Sequence, residues 1–369
     1  MKITCDRLLL GDSLTNVSRV IAGKSSIPAL EGVQLKAYGG TLTLTGYDME
    51  AGITTTIAAE VEAEGEIVLP ARLFSDMIRK LACEQVSITV GENHFSEIVG
   101  GATKFSIMGI PSEEFPELPQ VDEGEGVSFP QPALKSMIEQ TLFAVAVTDA
   151  KPVHTGSLFD LSEGRLNIVS VDGYRLALRS EQVQTDQNMR FIVPGKVLGE
   201  IVKLLKEDAE QPVSLTVSRR HILFDIGSYI VVSRLLEGEF LDYKASLPQE
   251  YKSLVNVGAR QMIECVERAS LLISDRLRSP LRVTFSGEGC IQIACSTPLG
   301  KSYDEVFCTM SGESVEMGFN NKYMLDALKA ADTDEVRIEI SGPLSPIKIL
   351  PPDGDSFLFL VLPVRLKNE

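Results

Sequence analysis

The sequence predicts an α+β fold built from three copies of one unit, each with two helices and about eight short antiparallel strands. Three observations carry this prediction. A helix with a basic–acidic–basic face occurs at Arg72, Asp76 and Arg79, and recurs at Lys196, Glu200, Lys203 and at Lys322, Asp326, Lys329. A turn glycine followed by alternating apolar residues recurs at Gly40, Gly164 and Gly289. The segments "FPELP" from Phe115 and "FLDYKASLP" from Phe240 close the first two copies. The expected domains are 1–122, 127–250 and 252–369. Each is about the common domain size of 100–150 residues, and the period is too long for a solenoid.

The elements follow in order. In 70–81 the apolar residues Leu73, Phe74, Met77, Ile78 and Leu81 form one helical stripe, and Pro70 stands where a missing N–H costs nothing. The second copy of this helix starts at Pro194, with the stripe Val197, Leu198, Ile201, Val202 and Leu205. The third uses Asn320, a good N-cap, and the stripe Tyr323, Met324, Ala327, Leu328 and Ala331. A further helix opens each copy; in the middle one Leu134, Met137, Ile138, Leu142 and Val145 share a face. After each turn glycine, Leu42 and Leu44, Leu166 and Ile168, and Ile291 and Ile293 alternate as in hairpin strands. Asp172–Gly173 is a strong turn signal between alternating segments.

Of the 369 residues, 44% are hydrophobic, enough for several cores. The chain lacks an apolar run long enough to span a membrane, and its start is too polar for a secretory signal. Cys5, Cys83, Cys265, Cys290, Cys295 and Cys308 form no C-x-x-C pair and lie far from His94, His154 and His221. A reducing, cytoplasmic setting without a zinc site or cofactor is therefore expected.

The net charge is −16, which by itself argues against nucleic acid. The six candidate helices nevertheless carry eight more basic than acidic residues, leaving −24 for the rest. If strands form an outer wall and helices an inner one, the charged faces of the helices line the inside. Weakly positive helices suit a polyanion that is held without sequence-specific grip, because phosphate contacts carry no sequence information. The competing reading of any such face is a solvated surface.

The order of "SVDGYRLAL" from Ser170, "GFNNKYML" from Gly318 and the terminal "LPVRL" from Leu362 resembles the bacterial DNA polymerase III β-subunit family of sliding clamps, over the whole length. The resemblance implies three domains per chain and a head-to-tail homodimer that closes as a ring around duplex DNA. It implies a clamp loader, the replicative polymerase and other proteins with clamp-binding motifs as partners, and no membrane. On the family pattern Lys24, Arg72, Lys196 and Lys203 face DNA; the repeat adds Arg79, Lys322 and Lys329. The partner-peptide pocket maps to Val171, Gly173, Tyr174, Arg175 and Leu176 of the second domain. The third contributes Asn320, Tyr323, Leu344, Pro346, Leu360, Leu362, Pro363, Val364 and Arg365. Leu241, Ala245 and Ser246 stand at the pocket edge, and His154 takes a place often held by a larger apolar residue. Ring closure maps to Phe105 and Ile107 against Leu272 and Ile273.

Catalysis is not expected: no GxGxxG or phosphate-binding loop occurs, and no Ser/His/Asp signature. A structural or carbohydrate-binding repeat protein is the alternative. It would call for exposed aromatics, but the chain has no Trp and 6% aromatic residues.

Overall fold

The computed structural model describes residues 1–121, 125–148, 151–274 and 279–366. The expected domain limits at 122 and 369 lie outside them. All three copies follow one element order, a strand, a helix, a run of strands, a helix and three strands; the run has five strands in the first copy and four in the other two. The helices are α1 (Arg7–Val17), α2 (Ala71–Lys80), α3 (Gln131–Leu142), α4 (Gly195–Leu204), α5 (Tyr243–Ser246), α6 (Ala259–Ala269) and α7 (Asn321–Ala331). Only the short α5 stands outside the repeat.

Local chemistry explains the boundaries. The Asp6 carboxylate accepts from the Leu9 N–H at 2.8 Å and caps α1. Asn320 caps α7, accepting from the N–H groups of Lys322 and Tyr323. Gly40, Gly164 and Gly289 have φ of 81°, 68° and 85°, a left-handed turn that any Cβ would strain. Two expectations need correction. Val145 falls beyond the end of α3 at Leu142. Leu73 is exposed on α2, whereas Phe74, Ile78 and Leu81 are buried. The stripe is narrower than the sequence suggested because Leu73 lies at its edge, one position from Phe74.

The chain packs as two compact units, Met1–Pro132 with Lys196–Leu235, and Ala133–Gly195 with Leu236–Glu369. These units cut the middle copy in two. The reason is strand pairing. In the first unit Tyr229–Arg234 of the middle copy pairs with Ala51–Ala58 of the first, making one eight-stranded sheet; a five-stranded sheet accompanies it. In the second unit Arg175–Gln182 pairs with Phe357–Val361 of the third copy, within a twelve-stranded sheet. Every strand pairing is antiparallel.

The helices bury their stripes on these sheets: Leu10, Leu14, Phe74 and Ile78 in the first unit, Met262, Val266, Met324 and Leu328 in the second. The first copy has one extra strand for a simple reason. In the third copy Gly300–Gly312 runs unbroken, pairing first with Cys290–Thr297 and then with Ser253–Val257. In the first copy the same course breaks into Ala51–Ala58 and Glu60–Ala63.

Candidate functional site

The charged helix faces keep the repeated order of signs but not one pattern of pairing. Arg72 is exposed and has no ion-pair partner among the described residues. Arg79 lies 3.4 Å from Asp76, one turn back. On α4, Lys203 holds Glu200 at 2.9 Å, and Arg19 from the short 3-10 turn that follows α1 approaches the same carboxylate at 3.6 Å. Lys196 reaches Asp48 at 2.9 Å, a carboxylate that is 10% exposed. On α7, Lys329 crosses to Glu267 of α6 at 2.6 Å, and Lys322 stays exposed. Lys24 is exposed in the segment after α1. Exposed pairs of this kind contribute about 0–1 kcal/mol each, so they shape the local field more than they hold the fold.

Asp326, the acid of the third face, has a different task. Its Oδ2 accepts from the Arg175 guanidinium at 2.6 Å, and the Arg175 Nε donates to Asp172 at 2.9 Å. The guanidinium lies over the Tyr323 ring at 4.6 Å and the Phe143 ring at 5.4 Å. The other Asp172 oxygen accepts from the backbone N–H groups of Tyr174 and Arg175. Gly173, at φ 86°, completes that tight turn. The turn lifts Tyr174 into solvent, where it stacks on Tyr323 at 5.9 Å.

Behind this polar clamp, Val171, Leu176 and Leu360 join Phe240 and Tyr243 in one buried cluster, with Leu247 packed on it. The Leu362 N–H donates to the Tyr174 carbonyl at 3.0 Å and brings the tail beside the turn. Leu241, Leu362, Val364 and Arg365 are exposed, and Pro363 and Pro346 are partly covered. Leu344 is exposed in a turn, and Asn320 is spent on its helix cap. His154 packs edge-on against Phe240 at 5.8 Å. Ala245 and Ser246 lie exposed on α5 and at its end. The sequence reading missed Asp326 and Phe143 as parts of this site. Asp326 was findable, because the repeated face had already singled it out.

Phe105 and Ile107 lie on Thr103–Met108, an edge strand of the five-stranded sheet. Leu272 and Ile273 are half-buried, and Ile273 packs on the core; Leu271 beside them is 82% exposed. Among the described residues no group of three or more His, Cys, Asp or Glu could hold a metal. No described helix is long and apolar enough to cross a membrane.

Three family models match in succession: the N-terminal domain of the DNA polymerase III β subunit at residues 1–119, its central domain at 128–242 and its C-terminal domain at 244–365. The β sliding clamp of Halalkalibacterium halodurans is 32% identical, covering 99% of this chain and 100% of that protein. The crystal structure of the DNA polymerase sliding clamp from Bacillus subtilis superposes with a TM-score of 0.96 at 30% identity over 100% of both chains. The DNA polymerase III β subunit from Pseudomonas aeruginosa gives 0.93 at 30% identity, covering 99% of this chain and 100% of that one. The same architecture, matched end to end at this identity, makes the chain a member of the DNA polymerase III β-subunit family, the bacterial sliding clamps.

Proposed function

We infer that this chain is a DNA sliding clamp, a non-catalytic subunit that encircles duplex DNA and tethers a DNA polymerase for processive synthesis. The full-length succession of three β-subunit domains is the observation that carries this reading. The basic helix faces in a chain of net charge −16 agree with it, since an acidic exterior leaves the helix faces as the favourable place for a phosphate backbone. The carbohydrate-binding alternative has no such support. Lys24, Arg72, Arg79, Lys196, Lys203, Lys322 and Lys329 are the proposed DNA-facing residues. The cleft around Val171, Tyr174, Arg175, Leu176, Tyr323, Leu360 and Pro363 is the proposed seat for peptides of the polymerase, the clamp loader and other partners. The domains are taken as 1–122, 127–250 and 252–369.

The internal repeat supports a homodimer. Where the first two copies join, Ser233 on the last strand of one copy pairs with Ala51 on the third hairpin strand of the other. Where the second and third join, Val361 pairs with Arg175 in the same way. The equivalent positions left over are Ile107 and Gly300. Thr103–Met108 has a ladder on one edge alone, and so has the Gly300–Phe307 stretch, among the described residues. A second copy of the chain would fill both edges, with Ile107 opposite Gly300 and Phe105 opposite Ser302. Phe143 meets Phe359 edge-on at 5.3 Å in the second of these joins. Their equivalents are Leu271 and Phe105, so Leu271 is the proposed partner of Phe105, ahead of Leu272 and Ile273.

Two measurements test the reading. With ATP and a bacterial clamp loader, the protein should stay on nicked circular DNA and be lost when the circle is cut. Light scattering should give about 80 kDa, twice the 40.2 kDa chain. Equal retention on circular and linear DNA would overturn encirclement, and a monomer at micromolar concentration would overturn the ring.

A further inference from the structure

The rim of the proposed peptide cleft is α5, which has too few residues to hold itself as a helix. Its own bonds are local: the Ala245 N–H donates to Asp242 Oδ1 at 3.3 Å, and the Ser246 hydroxyl donates to the Asp242 carbonyl. Its position must therefore be set by side chains that reach the sheet. Two do so with polar groups, and both end on one carboxylate. The Tyr243 hydroxyl donates to Asp160 Oδ2 at 2.7 Å, and Lys244 Nζ lies 3.8 Å from the same oxygen. Tyr243 is otherwise buried in the cluster that holds Leu176 and Leu360, the cleft floor.

The repeat offers an internal control. In the first copy the equivalent segment ends at Leu118, which lies on Gly52; a Cβ there would come within 2.6 Å of the Leu118 side chain. The middle copy has Leu176 at the place of Gly52, and so cannot close over itself in this way. It also has Asp160 where the first copy has Lys36, which is paired instead with Glu66 at 3.4 Å. The closing leucine and the tyrosine anchor are alternatives at one position of the repeat.

We propose that Asp160 is a positioning residue for peptide binding: through Tyr243 it holds the rim, with Leu241 at its outer edge, clear of the Leu176–Leu360 floor. This rests on the cleft being the peptide site. The occupant is a short peptide with neighbouring aliphatic and aromatic anchors, matched to an apolar floor edged by aromatic rings.

The test is fluorescence anisotropy of a short fluorescein-labelled peptide with adjacent leucine and phenylalanine anchors, on the full chain. Tyr243→Phe and Asp160→Leu should each weaken binding about tenfold, the scale of a lost hydrogen bond to a charged group. The double variant should be no weaker than Asp160→Leu alone, because that change already removes the tyrosine's bond together with the Lys244 contact. Asp160→Asn should restore affinity to within about twofold, since its amide oxygen still accepts from tyrosine. A role in general stability alone would lower the urea midpoint without this pattern. Binding by Tyr243→Phe equal to that of the unchanged chain, or Asp160→Asn as weak as Asp160→Leu, overturns the anchor and leaves the cleft standing. No binding by the unchanged chain overturns both.

Discussion

Arg175, on a strand of the middle copy, donates to Asp326 on α7 of the third copy at 2.6 Å, and this bond ties the turn at Asp172 to the helix that starts at Asn320. The guanidinium is nearly buried, flanked by two carboxylates and two aromatic rings. Removing it would strand Asp172, which is also largely covered. Breaking a buried pair from one side costs about 3–5 kcal/mol, and the partial exposure of Asp326 places this case near the lower limit. Arg175→Ala should therefore lose about 3 kcal/mol in urea unfolding, and Arg175→Lys should recover part of the loss but not the two-sided grip. A midpoint unchanged in Arg175→Ala would show the clamp to be dispensable.

Charge reversal on the helix faces separates DNA retention from stability. Arg72→Glu changes an exposed residue with no ion pair among the described residues and should alter stability by less than about 0.5 kcal/mol. Lys203→Glu adds repulsion with Glu200, and Lys196→Glu places two acids together at the poorly exposed Asp48, so it should be the costliest of the three. All three together should reduce retention on circular DNA at any sequence, because phosphates are the proposed target and carry no sequence information. Affinity at the cleft near Arg175 and Pro363 should stay the same. Retention indistinguishable from the unchanged chain would make these faces solvated surface and nothing more.

The register of the proposed homodimer can be read by cross-linking. Ile107 opposite Gly300 implies Ser106 opposite Lys301. A chain carrying Ser106→Cys and Lys301→Cys should form a covalent dimer on mild oxidation, and the single variants should not. A pair shifted by one residue, Ser106→Cys with Ser302→Cys, should fail, because a one-residue slip turns the side chain to the other face. Leu271→Asp should give monomers, since an unpaired charge in an apolar contact is costly. Efficient cross-linking of the shifted pair would refute the register.

The thiols give a pH prediction. Burial pushes Cys5 and Cys265 up to about 12 from the usual 9.0. Both stay protonated at pH 8 in the native state, and iodoacetamide should modify the half-buried Cys83 before either of them. The sign of the linkage follows. Unfolding lets these thiols lose protons above about pH 9, so their share of stability is whole below that pH and is lost as pH rises toward 12. Chemical unfolding at pH 8 and pH 10.5 should show the decline; constant stability would contradict it.

What depends on near neighbours was legible in the amino-acid order. The threefold repeat, the helix starts at Asn320 and after Pro194, the turns at Gly40, Gly164 and Gly289, and the basic–acidic–basic faces all follow from periodicity and local backbone chemistry. Which acid meets which base is settled by the folded chain. Asp76, Glu200 and Asp326 occupy one position of the repeat, yet they pair with Arg79, with Lys203 and Arg19, and with Arg175. It also decided that Leu271 is exposed while Ile273 packs on the core, and that the middle copy is shared between two units. The physical reason is sequence separation. A cap or a turn is settled within one or two turns of chain, whereas Arg175 and Asp326 lie far apart along it. They meet because Arg175–Gln182 pairs with Phe357–Val361, and no local pattern encodes that pairing.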